Sequence, residues 1–180
     1  MKVLLHMCCG PCAIVPTREL QSEGITVMGF FYRYNIHPFT ECLKREDSLK
    51  KFAEQMNLKI IFQEGYELEA WLQNMVHREA NRCKLCYHDR LTSTALLARR
   101  GKFDGFSSTL LYSRHQQHET IQSIGESIAS EVGIPFVYRD FRPGWKDGIE
   151  ASKNMGLYRQ QYCGCIYSEK ERYCPLPPLS

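Results

Sequence analysis

Cysteine is the residue type in this sequence that most directly indicates chemistry. The chain of 180 residues contains nine cysteines, a share below the ~8–10% typical of disulfide scaffolds. In a reducing cytosol such thiols stay free unless a metal holds them. We therefore expect a cytoplasmic protein with a metal or redox site. Seven of the nine lie in three short groups, which are Cys8, Cys9 and Cys12; Cys83 and Cys86; Cys163 and Cys165.

The spacing within each group lets neighbouring sulfurs face one centre. Cys83 and Cys86 are three residues apart, which places both on one face of a helix. Cys9 and Cys12 have the same spacing at a predicted helix start, where the helix dipole favours the thiolate, the form that binds metals. Gly164 separates the last two cysteines and allows the backbone to curl around a ligand.

The thiol pattern leaves the type of metal open. Four sulfurs can hold zinc tetrahedrally or a [4Fe–4S] cluster, and the spacing does not decide between them. Seven thiols exceed one site of four ligands, so three remain for a second metal or a redox pair. That surplus favours a site that handles electrons. We expect the two isolated cysteines, Cys42 and Cys174, to be small buried hydrophobic residues.

Short apolar runs alternate with helical patterns along most of the chain. Strands are predicted at 2–7, 25–32, 58–62, 103–108 and 135–138. The intervening helices include one capped by Thr40, with Leu49, Phe52 and Met56 on its apolar face. This alternation predicts an α/β, Rossmann-like fold with a parallel sheet of about five strands and helices on both faces.

The organisation along the chain indicates one domain, 1–180. Residues 1–140 form the α/β core, 141–174 form a helical segment that completes the metal site, and 175–180 are a proline-rich tail. No apolar run approaches the length of a membrane-spanning helix, so no membrane partner is expected. The net charge of +3 permits a nucleic-acid partner without requiring one.

The predicted sheet places three segments on the rim where ligands bind in such folds, beyond the carboxyl ends of the strands. These segments are 8–12, 107–114 and 139–142. Phosphate-binding glycine motifs are missing, so a nucleotide cofactor is not favoured. Tyr34, Tyr158 and Arg159 are candidates for stacking and gripping an unpaired RNA nucleotide.

The motifs together resemble the QueH-type epoxyqueuosine reductases over nearly the whole chain. They read His-Met-Cys-Cys-Gly-Pro-Cys at 6–12, Phe-Tyr-Arg-Tyr-Asn-Ile-His-Pro at 31–38, Arg-Cys-Lys-Leu-Cys-Tyr at 82–87, Ser-Thr-Leu-Leu-Tyr-Ser at 108–113 and Tyr-Arg-Gln-Gln-Tyr-Cys-Gly-Cys at 158–165. The resemblance implies a fold like that of PP-loop (adenine nucleotide hydrolase-like) proteins. It also implies the reduction of epoxyqueuosine to queuosine at the wobble position of tRNA, with electrons from an external donor.

The resemblance also implies metal ligands. A [4Fe–4S] cluster would be held by four cysteines, namely Cys8, Cys9, Cys83 and Cys86. An additional iron would be bound by Cys163 and Cys165 together with position 12, where some relatives have Asp and this chain has Cys12. Cys12 is alternatively a redox partner that forms a disulfide with Cys163 or Cys165. Tyr34 stands where the family pattern has Pro.

Removing the epoxide oxygen as water takes two electrons and two protons, so an acid must lie near the substrate. Tyr112, Tyr162 and Asp140 are the candidate proton donors. Three other functions remain open for this sequence. They are a zinc-stapled RNA-binding module without catalysis, a thiol–disulfide oxidoreductase using Cys83 and Cys86, and a sulfur-transfer enzyme of the PP-loop type.

Overall fold

The computed structural model describes residues 1–174. Four parallel strands form its sheet in the spatial order β3-β2-β1-β4. The central strand β1 is almost fully buried, as expected for an apolar run that is covered on both faces. The strands are β1 (Lys2–Met7), β2 (Thr26–Phe31), β3 (Ile60–Phe62) and β4 (Gly105–Ser108).

Seven α-helices of the described residues surround this sheet. Helices α1, α2 and α6 pack together, and α4 packs with α5. The two groups cover both faces of the sheet, which confirms the predicted fold class. The helices are α1 (Gly10–Ser22), α2 (Phe39–Met56), α3 (Leu68–Met75), α4 (Arg82–Arg100), α5 (His118–Val132), α6 (Trp145–Asn154) and α7 (Ile166–Tyr173).

The fifth predicted strand, 135–138, is reduced to a single bridge between Phe106 and Phe136. The Phe106 amide donates to the Pro135 carbonyl at 3.0 Å, and the Val137 amide donates to the Phe106 carbonyl at 2.8 Å. Pro135 has no amide hydrogen to extend the ladder. The segment therefore continues the sheet at its β4 edge without forming a regular strand.

Helix α2 begins two residues earlier than a cap at Thr40 predicts. Its N-cap is Pro38, and Thr40 lies within the first turn and makes no cap hydrogen bond. The predicted capping role of Thr40 was therefore wrong. Helix α5 ends at Gly133, which adopts a left-handed φ of 72° directly after the helix.

The C-terminal segment accepts hydrogen bonds from side chains in the middle of α2. The Ser48 hydroxyl donates to the Tyr158 carbonyl at 3.2 Å, and Lys51 Nζ donates to the Gly156 carbonyl at 2.9 Å. The segment at 141–174, predicted to be helical, contains the two short helices α6 and α7. The predicted tail at 175–180 lies outside the described residues.

The two isolated cysteines differ. Cys42 is fully buried, as expected, but Cys174 is exposed at the end of α7, so the prediction that it is a buried hydrophobic residue was wrong. The described helices include none with the length and apolar character required to cross a bilayer.

Candidate metal centre

The first cysteine group lies where β1 passes into α1. The sulfurs of Cys8, Cys9 and Cys12 all lie within 4.8 Å of one another, and all three residues are buried. Gly10 permits this tight passage, because a Cβ there would lie 2.7 Å from the backbone oxygen of Ser48. Among the described residues this is the one group of three or more potential metal ligands within that distance.

The second group occupies the first turn of α4, so the predicted helical spacing is confirmed. Cys86 is buried and Cys83 is half-buried. The side-chain amide of Asn35 donates to the Cys86 sulfur at 3.2 Å. An N–H donor to a sulfur is typical of the surroundings of metal-bound thiolates.

The third group lies in the loop before α7. Gly164 has a φ of 143°, a conformation that side chains rarely adopt, and this allows the sharp turn between the two cysteines. Cys163 is exposed and Cys165 is half-buried. Gln116 Nε2 donates to the Cys163 sulfur at 3.2 Å, and Gln160 Nε2 donates to the Cys12 sulfur at the same distance.

Arg45 joins the third group to α2. It is fully buried and donates to the Glu41 carboxylate at 2.8 Å. Its two terminal nitrogens donate to the carbonyls of Cys163 and Tyr162, both at 2.8 Å. Arg45 thereby fixes the backbone of the C-terminal cysteine loop against the sheet core.

Arg90 is a second buried cation near the thiols. Only 1% of its surface is exposed, and its Nε and Nη2 have no hydrogen-bond partner in the described part of the chain. Burial would lower the pKa of Arg90, but negative charge on Cys86, Cys163 and Cys8 raises it overall. Arg90 therefore lies within electrostatic reach of cysteines from all three groups.

The thiols differ in their tendency to ionise. Hydrogen bonds from Cys12 and Cys9 hold the pKa of Cys8 well below its usual value. Burial raises the pKa of Cys9, and burial raises the pKa of Cys86 to about 12. Cys8 is thus the thiol of the first group that ionises most readily, and its sulfur also accepts a hydrogen bond from the Thr109 hydroxyl at 3.6 Å.

A cavity of about 440 Å³ adjoins these thiols. Cys8, Cys12 and Cys163 line it, so members of two distant cysteine groups face the same space. The volume falls in the usual range for small-molecule sites. The other lining residues that matter for chemistry are Arg90, Thr109, Tyr112, Gln116, Trp145, Arg159, Gln160 and Tyr162.

The candidate proton donors occupy different positions. Tyr112 lines the cavity and donates to the Trp145 carbonyl at 3.2 Å. Burial raises the pKa of Tyr112, so it keeps its proton at neutral pH. Tyr162 also lines the cavity, but its hydroxyl donates to the His37 carbonyl at 2.6 Å.

Asp140 lies elsewhere, paired with Arg142 through both carboxylate oxygens at 2.8 and 2.7 Å. The hydrogen bond from Arg142 lowers the pKa of Asp140 to about 2. Asp140 therefore carries no proton at neutral pH, and it is not among the residues that line the cavity. Both observations speak against Asp140 as the acid.

The candidate RNA-binding residues are also separated. Arg159 lines the cysteine cavity, whereas Tyr34 lines a second cavity. Tyr158 turns its hydroxyl to the Glu41 carboxylate at 2.6 Å. Tyr158 therefore braces α2 in this structure.

Sequence reasoning missed the residues that surround the thiols. Arg45 and Arg90 were not singled out, although each interrupts the apolar face of its helix, which is a readable signal of a buried charge. Arg45 lies four residues before Leu49, and Arg90 lies four residues before Thr94, and all four are buried. No local pattern marks the roles of Asn35, Gln116, Gln160 or Trp145.

Comparison with known proteins agrees with this geometry. The family model described as "Epoxyqueuosine reductase QueH" matches residues 3–171. A protein of that name from Dehalococcoides mccartyi is 37% identical over 96% of this chain and 94% of its own length. Another from Thermotoga maritima is 32% identical over 94% of this chain and 91% of its own length.

A solved structure supports the fold. The crystal structure of a predicted subunit of tRNA methyltransferase from Methanocaldococcus jannaschii matches with a TM-score of 0.59 and covers 85% of this chain and 74% of its own. Its sequence identity is 11%, so the likeness concerns the fold alone. The family match and the two relatives together confirm the resemblance read from the motifs: the chain belongs to the epoxyqueuosine reductase QueH family and is an oxidoreductase.

Proposed function

We propose that this chain reduces epoxyqueuosine to queuosine in tRNA at the cavity lined by Cys8, Cys12 and Cys163. The observation that carries the proposal is the arrangement of clustered buried thiols beside Arg90 at a cavity of nucleoside size. In the reaction the two epoxide C–O bonds break and a C=C bond forms. The oxygen leaves as water after taking up two electrons and two protons.

The donor set fits a [4Fe–4S] cluster. Cys8, Cys9, Cys83 and Cys86 are the proposed ligands, contributed by the β1–α1 junction and the first turn of α4. Two fully buried guanidinium groups lie near these thiols, and the partnerless nitrogens of Arg90 require a compensating negative charge. Four thiolates with a cluster supply that charge, whereas four neutral thiols do not. When bound, the cluster supplies single electrons from a buried position.

Cys12, Cys163 and Cys165 are the proposed ligands of an additional iron, which would act as a Lewis acid on the departing oxygen. The side-chain amides of Gln160 and Gln116 donate to the sulfurs of Cys12 and Cys163. Amide N–H donors around a ligand sulfur are typical of metal sites, and this supports metal binding over a resting disulfide.

Tyr112 is the proposed proton donor. Its side chain lines the cavity, and its hydroxyl remains protonated because burial raises its pKa. Gly148 makes room for that hydroxyl, because a Cβ at this position would collide with it. Tyr112 is favoured over Tyr162, whose hydroxyl is committed to the shorter bond with the His37 carbonyl.

The tRNA substrate would present its modified nucleotide to the cavity from a single-stranded loop, where bases can turn outwards. Arg159 and Arg172 line the cavity and are suited to hold phosphates of that loop. A tRNA substrate and reduced thiols both fit the cytoplasm. An external donor supplies the electrons.

Two alternative functions, an RNA-binding module without catalysis and a thiol–disulfide oxidoreductase, are not favoured. The named relatives are reductases, which argues against an RNA-binding module without catalysis. A thiol–disulfide enzyme using Cys83 and Cys86 requires a reactive thiolate, but burial raises the pKa of both residues.

The direct test incubates anaerobically purified, iron-loaded protein with tRNA containing epoxyqueuosine and a strong reductant. Nucleosides from the digested tRNA are then separated and queuosine is measured. We expect conversion by the wild type and none by Cys8→Ser. The variant Cys42→Ala is the matched control, because Cys42 is buried outside the cavity and should retain activity. Absence of conversion by wild-type protein with full iron would contradict the proposed reaction.

A further inference from the structure

A second cavity, of about 470 Å³, lies on the same rim of the sheet as the cysteines. Tyr32 and Tyr34 reach it from the end of β2, and Gln63 reaches it from the end of β3. Ligands of open parallel sheets bind beyond these carboxyl ends. The remaining wall comes from α3, through Trp71 and Asn74, and from α4, through Leu85, His88 and Asp89.

Two polar groups in this wall lack partners. Trp71 is only 4% exposed, and its indole Nε1–H makes no hydrogen bond to any described residue. The side-chain oxygen of Gln63 is also buried and without a partner. A buried donor or acceptor left unpaired is unfavourable, so a ligand that reached these two groups would satisfy one donor and one acceptor.

Aromatic rings accompany these polar groups. The rings of Tyr32 and Tyr34 are 5.4 Å apart in an edge arrangement. The Tyr32 hydroxyl is fixed by Asp89 in α4, and the Tyr34 hydroxyl donates to the Glu64 carbonyl at 3.2 Å. Both rings are thus held in place before any ligand binds. Rigid aromatic faces are typical of sites that stack unpaired bases.

Helix α4 separates this cavity from the cysteine cavity. Cys86 and Arg90 belong to the side with the thiols, whereas Leu85 and Asp89 line the second cavity. Each pair differs by one position, about 100° around a helix, so the two cavities flank the first turns of α4. Arg78, an exposed cation in the second cavity, is suited to a phosphate.

We propose that the second cavity binds an unpaired base of the substrate RNA, next to the nucleotide that enters the cysteine cavity. The inference rests on the proposed function, because it takes tRNA as the substrate. A nucleobase has a flat face for Tyr34 and an edge that carries both a donor and an acceptor for Gln63 and Trp71. A purely apolar ligand would leave both groups unpaired.

The test measures the affinity of iron-loaded protein for hairpin RNAs that carry the anticodon loop. One RNA is intact, and in each of the others a single loop position is abasic. Proteins are the wild type, Tyr34→Leu, Trp71→Phe and Phe39→Leu. The last is the control, because Phe39 is an exposed aromatic residue that does not line the cavity.

We expect one abasic position beside the modified nucleotide to weaken wild-type binding about tenfold, the usual scale of base–aromatic stacking. Tyr34→Leu should weaken binding of the intact RNA similarly. The affinity of this variant should hardly change when that position is abasic. Trp71→Phe, which keeps a ring but loses the N–H, should show a smaller loss. Phe39→Leu should behave as the wild type.

The proposal would be overturned if the affinity loss of Tyr34→Leu combined independently with that of every abasic position, so that no single position was coupled to Tyr34. It would also be overturned if Tyr34→Leu bound the intact RNA like the wild type. A second arm titrates the four nucleoside monophosphates and follows the fluorescence of Trp71 in Trp145→Phe protein. A monophosphate that binds as tightly as the hairpin would identify a free nucleotide as the ligand and would also overturn it. The two proposals can fail separately. If Tyr34 is coupled to one base but the protein forms no queuosine, the second site is supported and the proposed reaction is not.

Discussion

Arg45 in α2 donates a hydrogen bond of 2.8 Å to the backbone carbonyl of Cys163, 118 positions further along the chain. The same guanidinium is paired with Glu41 at 2.8 Å, and both side chains are almost completely buried. Helix α2 thereby holds the backbone of the loop that carries the C-terminal cysteines. The position of the C-terminal cysteines in the proposed metal centre therefore depends on this buried ion pair.

Replacing Arg45 should damage both stability and metal content. We expect Arg45→Met to lower the free energy of unfolding by about 3–5 kcal/mol, because it leaves the Glu41 carboxylate buried without its partner. Urea denaturation measures this loss, and iron analysis should show a reduced content. The exposed Arg99→Met is the matched control. Full iron binding by Arg45→Met would contradict the role given to this residue.

Replacing Arg90 should have opposite effects on the two forms of the protein. Without metal, Arg90→Met removes a buried charge with partnerless nitrogens. We therefore expect the free energy of unfolding of the metal-free protein to rise by on the order of 1 kcal/mol. With iron, the same change removes the charge that balances an anionic centre, so iron should be released faster to a chelator. Paired denaturation and chelation measurements test the sign of each effect. An Arg90→Met protein that holds iron as tightly as the wild type would count against the charge argument.

Tyr112 should affect the rate and leave the metal in place. We expect Tyr112→Phe to lower kcat by about 10²–10⁴-fold, the usual contribution of a general acid, with unchanged iron content. Gly148→Ala should also lower kcat, because the added Cβ displaces the Tyr112 hydroxyl. Tyr138→Phe is the control, since Tyr138 bonds to His118 outside the cavity. Wild-type turnover by Tyr112→Phe would assign the proton to another group.

Thiol labelling should follow pH in a defined direction. Burial raises the pKa of Cys86 to about 12, so at pH 8 only about one part in 10⁴ is the reactive thiolate. In metal-free protein we expect iodoacetamide to modify exposed Cys163 rapidly and Cys86 slowly, with the Cys86 rate rising about tenfold per pH unit. Mass spectrometry of the labelled peptides measures both rates.

Iron loading should protect Cys163 and Cys86 from iodoacetamide, whereas exposed Cys174 should react in either state. Unchanged labelling of Cys86 after loading would exclude it as a ligand.

Much of the fold was readable from the sequence, because strands buried on both faces are short apolar runs with defined ends. The segment at 135–138 shows the limit of this reading. Its composition is that of a strand. Because it lies at the sheet edge and Pro135 has no amide hydrogen, it forms only a single β-bridge with β4. Thr40 shows a second limit, since the chain enters α2 through Pro38 and the expected cap is already inside the helix.

The clustered cysteines of the candidate site were predictable from the sequence, but the residues that contact them were not. Cysteine spacing is a local property and can be read directly. The bonds from Gln160 to Cys12 and from Asn35 to Cys86 join residues 148 and 51 positions apart, and only the folded chain reveals them. The ion pair of Asp140 with Arg142 is local, but its effect on the proton-donor role depends on geometry that the sequence does not display.

The most direct test of the account is metal analysis of anaerobically purified protein and of its single cysteine variants. We expect a brown wild-type protein with iron and acid-labile sulfide, and loss of both in Cys8→Ser, Cys9→Ser, Cys83→Ser and Cys86→Ser, while Cys42→Ala and Cys174→Ser remain like the wild type. A colourless protein rich in zinc, or iron content that survives replacement of Cys83 and Cys86, would contradict the shared iron–sulfur centre.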